Sequence, residues 1–131
     1  MDIAAMKAEE DLFHELRAFL LDDVNVLFAF IFGSYARGKQ ARRSDLDVAI
    51  YFKSPPSGID LLGLINVLSD ISGRDVDLVA LNSASPLLRH QVMKYGLQLV
   101  VKDRDVYTLF RENTIADYDE YKYISGMNIY D

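Results

Sequence analysis

Cysteine is absent from this sequence, which excludes disulfides and thiolate metal sites alike and makes a reducing cytoplasm the expected compartment. Long apolar runs are absent too. The longest, Val26 to Phe32, ends at Gly33 and stops far short of the ~20 residues a spanning helix needs, so it reads as a buried strand. Met1 to Glu10 is mixed and acidic rather than basic and then apolar, so no secretory signal is expected. Positive charge is in short supply: 14 Lys and Arg stand against 20 Asp and Glu, a formal net charge of −6. Such a surface repels a polyanion, which argues against long DNA or RNA as a partner. Internal repeats and low-complexity tracts are also lacking.

What is present fits one soluble globular domain of 131 residues, half of them hydrophobic. Leu12, Phe13, Leu16, Phe19 and Leu20 recur at helical spacing between Ala4 and Leu21, with Glu and Arg on the other side. Asp45 to Phe52 alternates as a strand: Leu46, Val48, Ile50 and Phe52 share one face, and Asp45, Asp47, Ala49 and Tyr51 the other. Pro55, Pro56 and Gly58 read as a loop. Leu61, Leu64, Ile65, Leu68 and Ile71 form a second helix stopped by Gly73. Val76 to Leu81 is a strand. Ser85 and Pro86 start a helix that stops at Gly96, Leu97 to Val101 is a short strand, and Asp103 caps a last helix through Val106, Tyr107 and Phe110. Strands alternating with helices predict an α/β fold in which helices pack on one sheet.

The chemistry is concentrated between Gly33 and Asp47. Asp45 and Asp47, two apart on a strand, leave from one face with Cα atoms roughly 6.5 Å apart. Two such carboxylates repel each other unless a cation lies between them, and hard oxygen ligands suit Mg²⁺ that completes its shell from phosphate oxygens. Asp75 and Asp77 open another strand on a common face. One of them would complete a three-carboxylate site for two metals, the arrangement for in-line nucleotidyl transfer. Gly33-Ser34 ends a buried strand before a short helical segment; Gly33 would admit a phosphate close to the backbone, and the Ser34 hydroxyl adds a donor. Arg37, Lys39, Arg42 and Arg43 follow within seven positions. They read either as a solvated loop or, from their place between Gly-Ser and the aspartates, as cations around a triphosphate.

Gly-Ser, ten intervening residues and Asp-x-Asp resemble the signature of the DNA polymerase beta-like nucleotidyltransferase superfamily. Phe30-Ile31-Phe32, Ala36-Arg37-Gly38 and Ser44-Asp45-Leu46-Asp47 look like its minimal nucleotidyltransferase branch. The resemblance continues through Asp75-Val76-Asp77-Leu78-Val79, Leu87-Leu88-Arg89, Tyr95-Gly96 and Leu109-Phe110. It implies a mixed central sheet of about four to five strands with helices packed on it. It implies Asp45, Asp47 and Asp77 as metal-binding and catalytic residues, Gly33, Ser34, Arg37 and Arg43 as nucleotide-binding ones, two Mg²⁺ ions, and ATP as substrate. It also implies an antitoxin that transfers AMP to a tyrosine of a partner HEPN-domain RNase toxin. Residues 1–117 would form the nucleotidyltransferase domain and residues 118–131 a C-terminal tail.

Other residues have plainer explanations. Asp103 and Asp105 suit a helix start, and His14 and His90 lie on predicted helices away from any second ligand. In the tail, Tyr118, Tyr121, Tyr123 and Tyr130 alternate with acids, which suits either a disordered end or a surface for a basic partner. Two rival functions stand beside protein adenylylation. A small-molecule transferase of the aminoglycoside type would be expected to carry a second domain, and an antitoxin acting by occlusion alone would have no need of the three aspartates.

Overall fold

The computed structural model describes residues 3–36 and 45–129. Helix α1 (Ile3–Asp22) leads into strand β1 (Val26–Phe32), the short helix α2 (Gly33–Ala36) and strand β2 (Leu46–Phe52). Helix α3 (Gly58–Ser72) and strand β3 (Val76–Ala80) follow, then a 3₁₀ turn over Leu81–Ser83 and helix α4 (Pro86–Tyr95). Strand β4 (Leu97–Val101) and helix α5 (Arg104–Ile129) complete the order. The strands form one mixed sheet in the order β3-β2-β1-β4. β1 is antiparallel to both β2 and β4, whereas β2 and β3, joined through α3, are parallel. The architecture is the α/β one expected, with four strands. No helix among the described residues is long and apolar enough to cross a membrane.

The sheet is covered on both faces, which is why β1 is apolar almost throughout. On one face Leu46, Val48, Ile50 and Phe52 of β2 meet Leu16 and Leu20 of α1 and Leu68 of α3. On the other, Phe28, Phe30 and Ala49 meet Val92 of α4 and Phe110 of α5. Val26 and Phe28 would share a face in a regular strand, yet they enter opposite cores, because the pairing register shifts between them. That bulge turns Phe28 into the centre of an aromatic group. It stacks on Tyr51 at 4.9 Å and meets Phe110 at 5.1 Å and Tyr107 edge-on at 5.2 Å. Truncating so large a fully buried ring costs roughly 3–5 kcal/mol.

Local chemistry fixes the element ends. Ser57 Oγ accepts from the Asp60 N–H at 3.2 Å, so α3 starts at Gly58, a turn earlier than the apolar periodicity indicates. Ser85 Oγ accepts from Leu88 N–H in the same way ahead of Pro86. Gly73 ends α3 in the left-handed region at φ 67°. Gly96 ends α4 for a different reason. Its φ is −74°, but a Cβ there would collide with the Val92 carbonyl and lie 3.2 Å from that of Ile31. Asp103 Oδ1 caps α5 through Val106 N–H at 3.1 Å. The helix then runs unbroken past Asp117, where the sequence suggested a tail begins, to Ile129. Arg89 holds Asp117 at 3.0 Å and His90 stacks on Tyr118 at 3.7 Å, tying that extension to α4.

Gly96→Ala should therefore destabilise the fold by about 1–3 kcal/mol, since the end of α4 must move away from β1 to admit a methyl group. A lowered urea midpoint at unchanged m-value would register it.

Candidate active site

The parallel pair β2 and β3 starts with Leu46 opposite Val76 and Asp47 opposite Asp77. The Leu46 N–H donates to the Asp75 carbonyl at 2.9 Å and pins that register at its entry. Residues in register on neighbouring strands project to the same face, so Asp47 and Asp77 stand side by side. Asp45 lies just ahead of β2, two residues before Asp47. On its other flank Asp47 pairs with Phe32, the last residue of β1, which brings Gly33 directly against it.

Gly33 has φ 75°, a backbone conformation that side chains resist, and a Cβ there would overlap Asp47 Oδ2 and lie 3.1 Å from Asp47 Cγ. The sequence suggested that this glycine makes room for a phosphate. The structure adds a second demand on the same position, room for the carboxylate of Asp47, which could not sit beneath the turn otherwise.

Asp47 is half-buried, while Asp45 and Asp77 are exposed. Burial, then the negative charge of Asp77, then that of Asp45, push the Asp47 carboxyl above its ordinary range. These causes identify Asp77 and Asp45 as the charges acting on Asp47, and Asp75 is not among them. No ion pair to any of the three exists among the described residues.

Among the described residues, no three His, Cys, Asp or Glu side chains form a ready-made metal cage. The donor chemistry nevertheless fits a hard cation. The charges of Asp77 and Asp45 both act on Asp47, no cation among the described residues pairs with any of the three, and Mg²⁺ takes only one or two carboxylates plus phosphate oxygens and water. Arg37 and Arg43 lie outside the described residues, as do Lys39, Arg42 and the side chain of Ser34; the Ser34 backbone is the second residue of α2.

Two features were not legible as site features in the sequence. Asn82 donates from Nδ2 to the Phe52 carbonyl and accepts from Phe52 N–H at Oδ1, both at 2.9 Å. It thus continues the β2–β3 ladder by side chain where β3 has ended, and an isolated asparagine after a strand carries no signal for that. A cleft of about 650 Å³ lined by Tyr51, Asn82, Arg89, Phe110 and Asp117 lies toward the opposite end of β2 from the carboxylates. We place the chemistry at the carboxylates, because the cleft has one acid already paired with Arg89.

The family model "Polymerase beta, Nucleotidyltransferase" matches residues 14–105. Protein adenylyltransferase MntA of Shewanella oneidensis is 39% identical over 89 residues, 68% of this chain and 63% of that protein. A provisionally named protein adenylyltransferase of Methanocaldococcus jannaschii is 36% identical over 72 residues, 55% of this chain and 77% of its own length. Among solved structures, a toxin–antitoxin with AMP-PNP contains a chain with TM-score 0.78 and 32% identity, matching 89% of this chain and 94% of that one. A tri-AMPylated Shewanella oneidensis HEPN toxin in complex with MNT antitoxin gives TM-score 0.72 at 25% identity, over 93% of this chain and 95% of the other.

A carboxyl whose pKa rises on folding destabilises the folded state increasingly as pH climbs through that raised value, so at neutral pH the repulsion is felt in full. Asp47→Asn should stabilise metal-free protein at pH 7 by no more than about 1 kcal/mol, because solvent screens a half-buried group, and its Tm should rise accordingly. The gain should shrink on acidification, and a lowered Tm would contradict the repulsion.

Proposed function

The chain belongs to the polymerase beta nucleotidyltransferase family, and from that premise we propose that it is an antitoxin that transfers AMP from ATP to a tyrosine of a partner HEPN toxin and thereby neutralises it. The observation that carries this reading is the register of Asp47 opposite Asp77 beneath the Gly33 turn, with Asp45 as the third acid. Support for the partner and the nucleotide comes from the relatives. MntA is a protein adenylyltransferase, and the similar solved structures include a toxin–antitoxin with AMP-PNP and an AMPylated HEPN toxin bound to an MNT antitoxin.

In the reaction, Asp45, Asp47 and Asp77 would hold Mg²⁺, which when bound would supply positive charge to offset theirs and that of the triphosphate. Asp77, on the exposed side of the cluster, orients the tyrosine hydroxyl and receives its proton. The phenolic oxygen then bonds to the α-phosphorus as the bond to pyrophosphate breaks. Pyrophosphate leaves on the side of Ser34, Arg37 and Arg43. Gly33 holds its strained turn so that Asp47 keeps its place. The protein acts in the cytoplasm, where ATP and an RNase toxin meet. The C-terminal part of α5, with Tyr121, Tyr123 and Ile124 exposed among acids, is a segment for binding the toxin.

Incubation with labelled ATP and Mg²⁺ should mark the toxin. Asp45→Ala together with Asp47→Ala should abolish the label with the fold preserved, whereas complex formation without any label would favour inhibition by occlusion. Asp77→Ala should lower transfer by about 10²–10⁴-fold, the range for loss of a positioned base. Asp75→Ala should leave it within a few-fold, and the reverse order would move the third carboxylate to Asp75.

A further inference from the structure

We propose that the outer edge of β3 is the docking strip for the acceptor protein: an extended segment adds to β3 as a fifth strand and so carries its hydroxyl side chain to Asp77. This rests on the adenylyltransferase reading and assigns the surface that would present the acceptor.

The two edges of the sheet differ. On the β4 side, Arg17 Nε donates to the Leu99 carbonyl at 2.8 Å, so a side chain of α1 already occupies a main-chain acceptor in the middle of that strand. On the β3 side, main-chain directions follow from two contacts. The Asp75 carbonyl faces β2, because it accepts from Leu46 N–H, and the Val76 N–H faces away, because it donates to Ser69 Oγ at 3.2 Å. Alternation along a strand then turns the N–H and C=O of Leu78 and the N–H of Ala80 outward. None of these groups has a hydrogen-bond partner among the described residues, and both residues are only partly buried. The strand has no proline, no lysine and no bulge, and its one charged side chain is Asp77.

The open edge is also the strand that bears Asp77. A strand added there lies one interstrand spacing, about 4.8 Å, from β3, and its residue in register with Asp77 projects onto the face that Asp47 and Asp77 share. Main-chain pairing would thus deliver a side chain to the carboxylates without a dedicated acceptor pocket. Asp75 and Asp77 are both exposed along this edge, so the segment it suits has Lys or Arg beside the acceptor hydroxyl.

Ala80 offers a clean test. Its φ is −83°, within reach of proline, and its N–H takes no part in the sheet, so Ala80→Pro removes one outward donor at a position where edge strands accept proline. With the cognate HEPN toxin as acceptor, Ala80→Pro should raise the KM for toxin about tenfold, the loss of one hydrogen bond with its partner left unpaired. The KM for ATP and the rise in Tm on adding Mg-ATP should stay unchanged, and Ala80→Gly, which keeps the N–H, should behave as wild type. In the unmodified protein, the amides of Leu78 and Ala80 should exchange with deuterium more slowly once toxin is bound; this readout decides the matter if the proline variant fails to fold. Equal losses in both variants, wild-type kinetics for Ala80→Pro, or unchanged exchange at Leu78 and Ala80 would overturn the edge assignment while toxin labelling continued. Absence of labelling by the wild-type protein would instead overturn the adenylyltransferase reading itself.

Discussion

Carboxylates held face to face repel, and in this chain the strand pairing leaves Asp47 no means of escape. Its Cα is fixed between Phe32 of β1 and Asp77 of β3, and its side chain lies under the Gly33 turn. The neighbours that hold it there are fully buried: Leu46 and Val48 flank it in β2, both at 0% exposure, facing α1 and α3. Any relaxation of the repulsion by moving β2 would have to pull those side chains out of the core. The packing is therefore what makes a cluster of negative charge tolerable, and a cation is what would make it favourable.

The two-sided core follows from the same demand. A sheet with one solvated face could slide or twist at its end, whereas this one is gripped between α1 and α3 on one face and α4 and α5 on the other. The bulge after Val26 contributes by sending Phe28 to the α5 side, where its stack with Tyr51 and its contact with Phe110 couple β1, β2 and α5. Asn82 holds the far end of β2 as Asp75 holds the near end, so both termini of the strand that bears Asp47 are tied to the β3 side. A net charge of −6 adds a further condition. A polyphosphate approaching such a surface meets repulsion on most sides unless cations offset it.

Much of this was readable from residue order where local chemistry marks it. β1 and β4 have the limits that their apolar runs indicate, and α4 lies between its Ser-Pro start and Gly96 as expected. Ser85 caps in its own vicinity, and strand periodicity needs no distant partner. The start of α3 was missed because Pro55 and Pro56 dominate the reading of that segment, while the decisive contact is one hydroxyl of Ser57. The bulge was invisible because both phases of β1 are apolar. The choice between Asp75 and Asp77 depends on register across strands thirty residues apart, which no local pattern encodes; only the motif resemblance pointed to Asp77, and the register opposite Asp47 is a property of the folded sheet. The contact of Gly33 with Asp47 was hidden for the same reason, since that carboxylate lies on another strand.

The long last helix shows how a single element can serve both the core and the surface. Its first half is bound to the sheet through Tyr107 and Phe110, and Arg89 and His90 of α4 then grip Asp117 and Tyr118. Beyond Tyr118 the burial fades and Tyr123 and Ile124 stand largely in solvent. A segment of that length alone would be only marginally helical, so its order is inherited from the anchored half. Apolar side chains displayed on a helix made rigid in this way lose little further freedom when another surface covers them, and that is the physical condition for tight association. Arg89 is central to this arrangement, because its guanidinium also donates to the Ala84 carbonyl at 3.2 Å and lies over Phe110. One partly buried cation thereby joins the turn after β3, the aromatic core and the projecting helix into a single body.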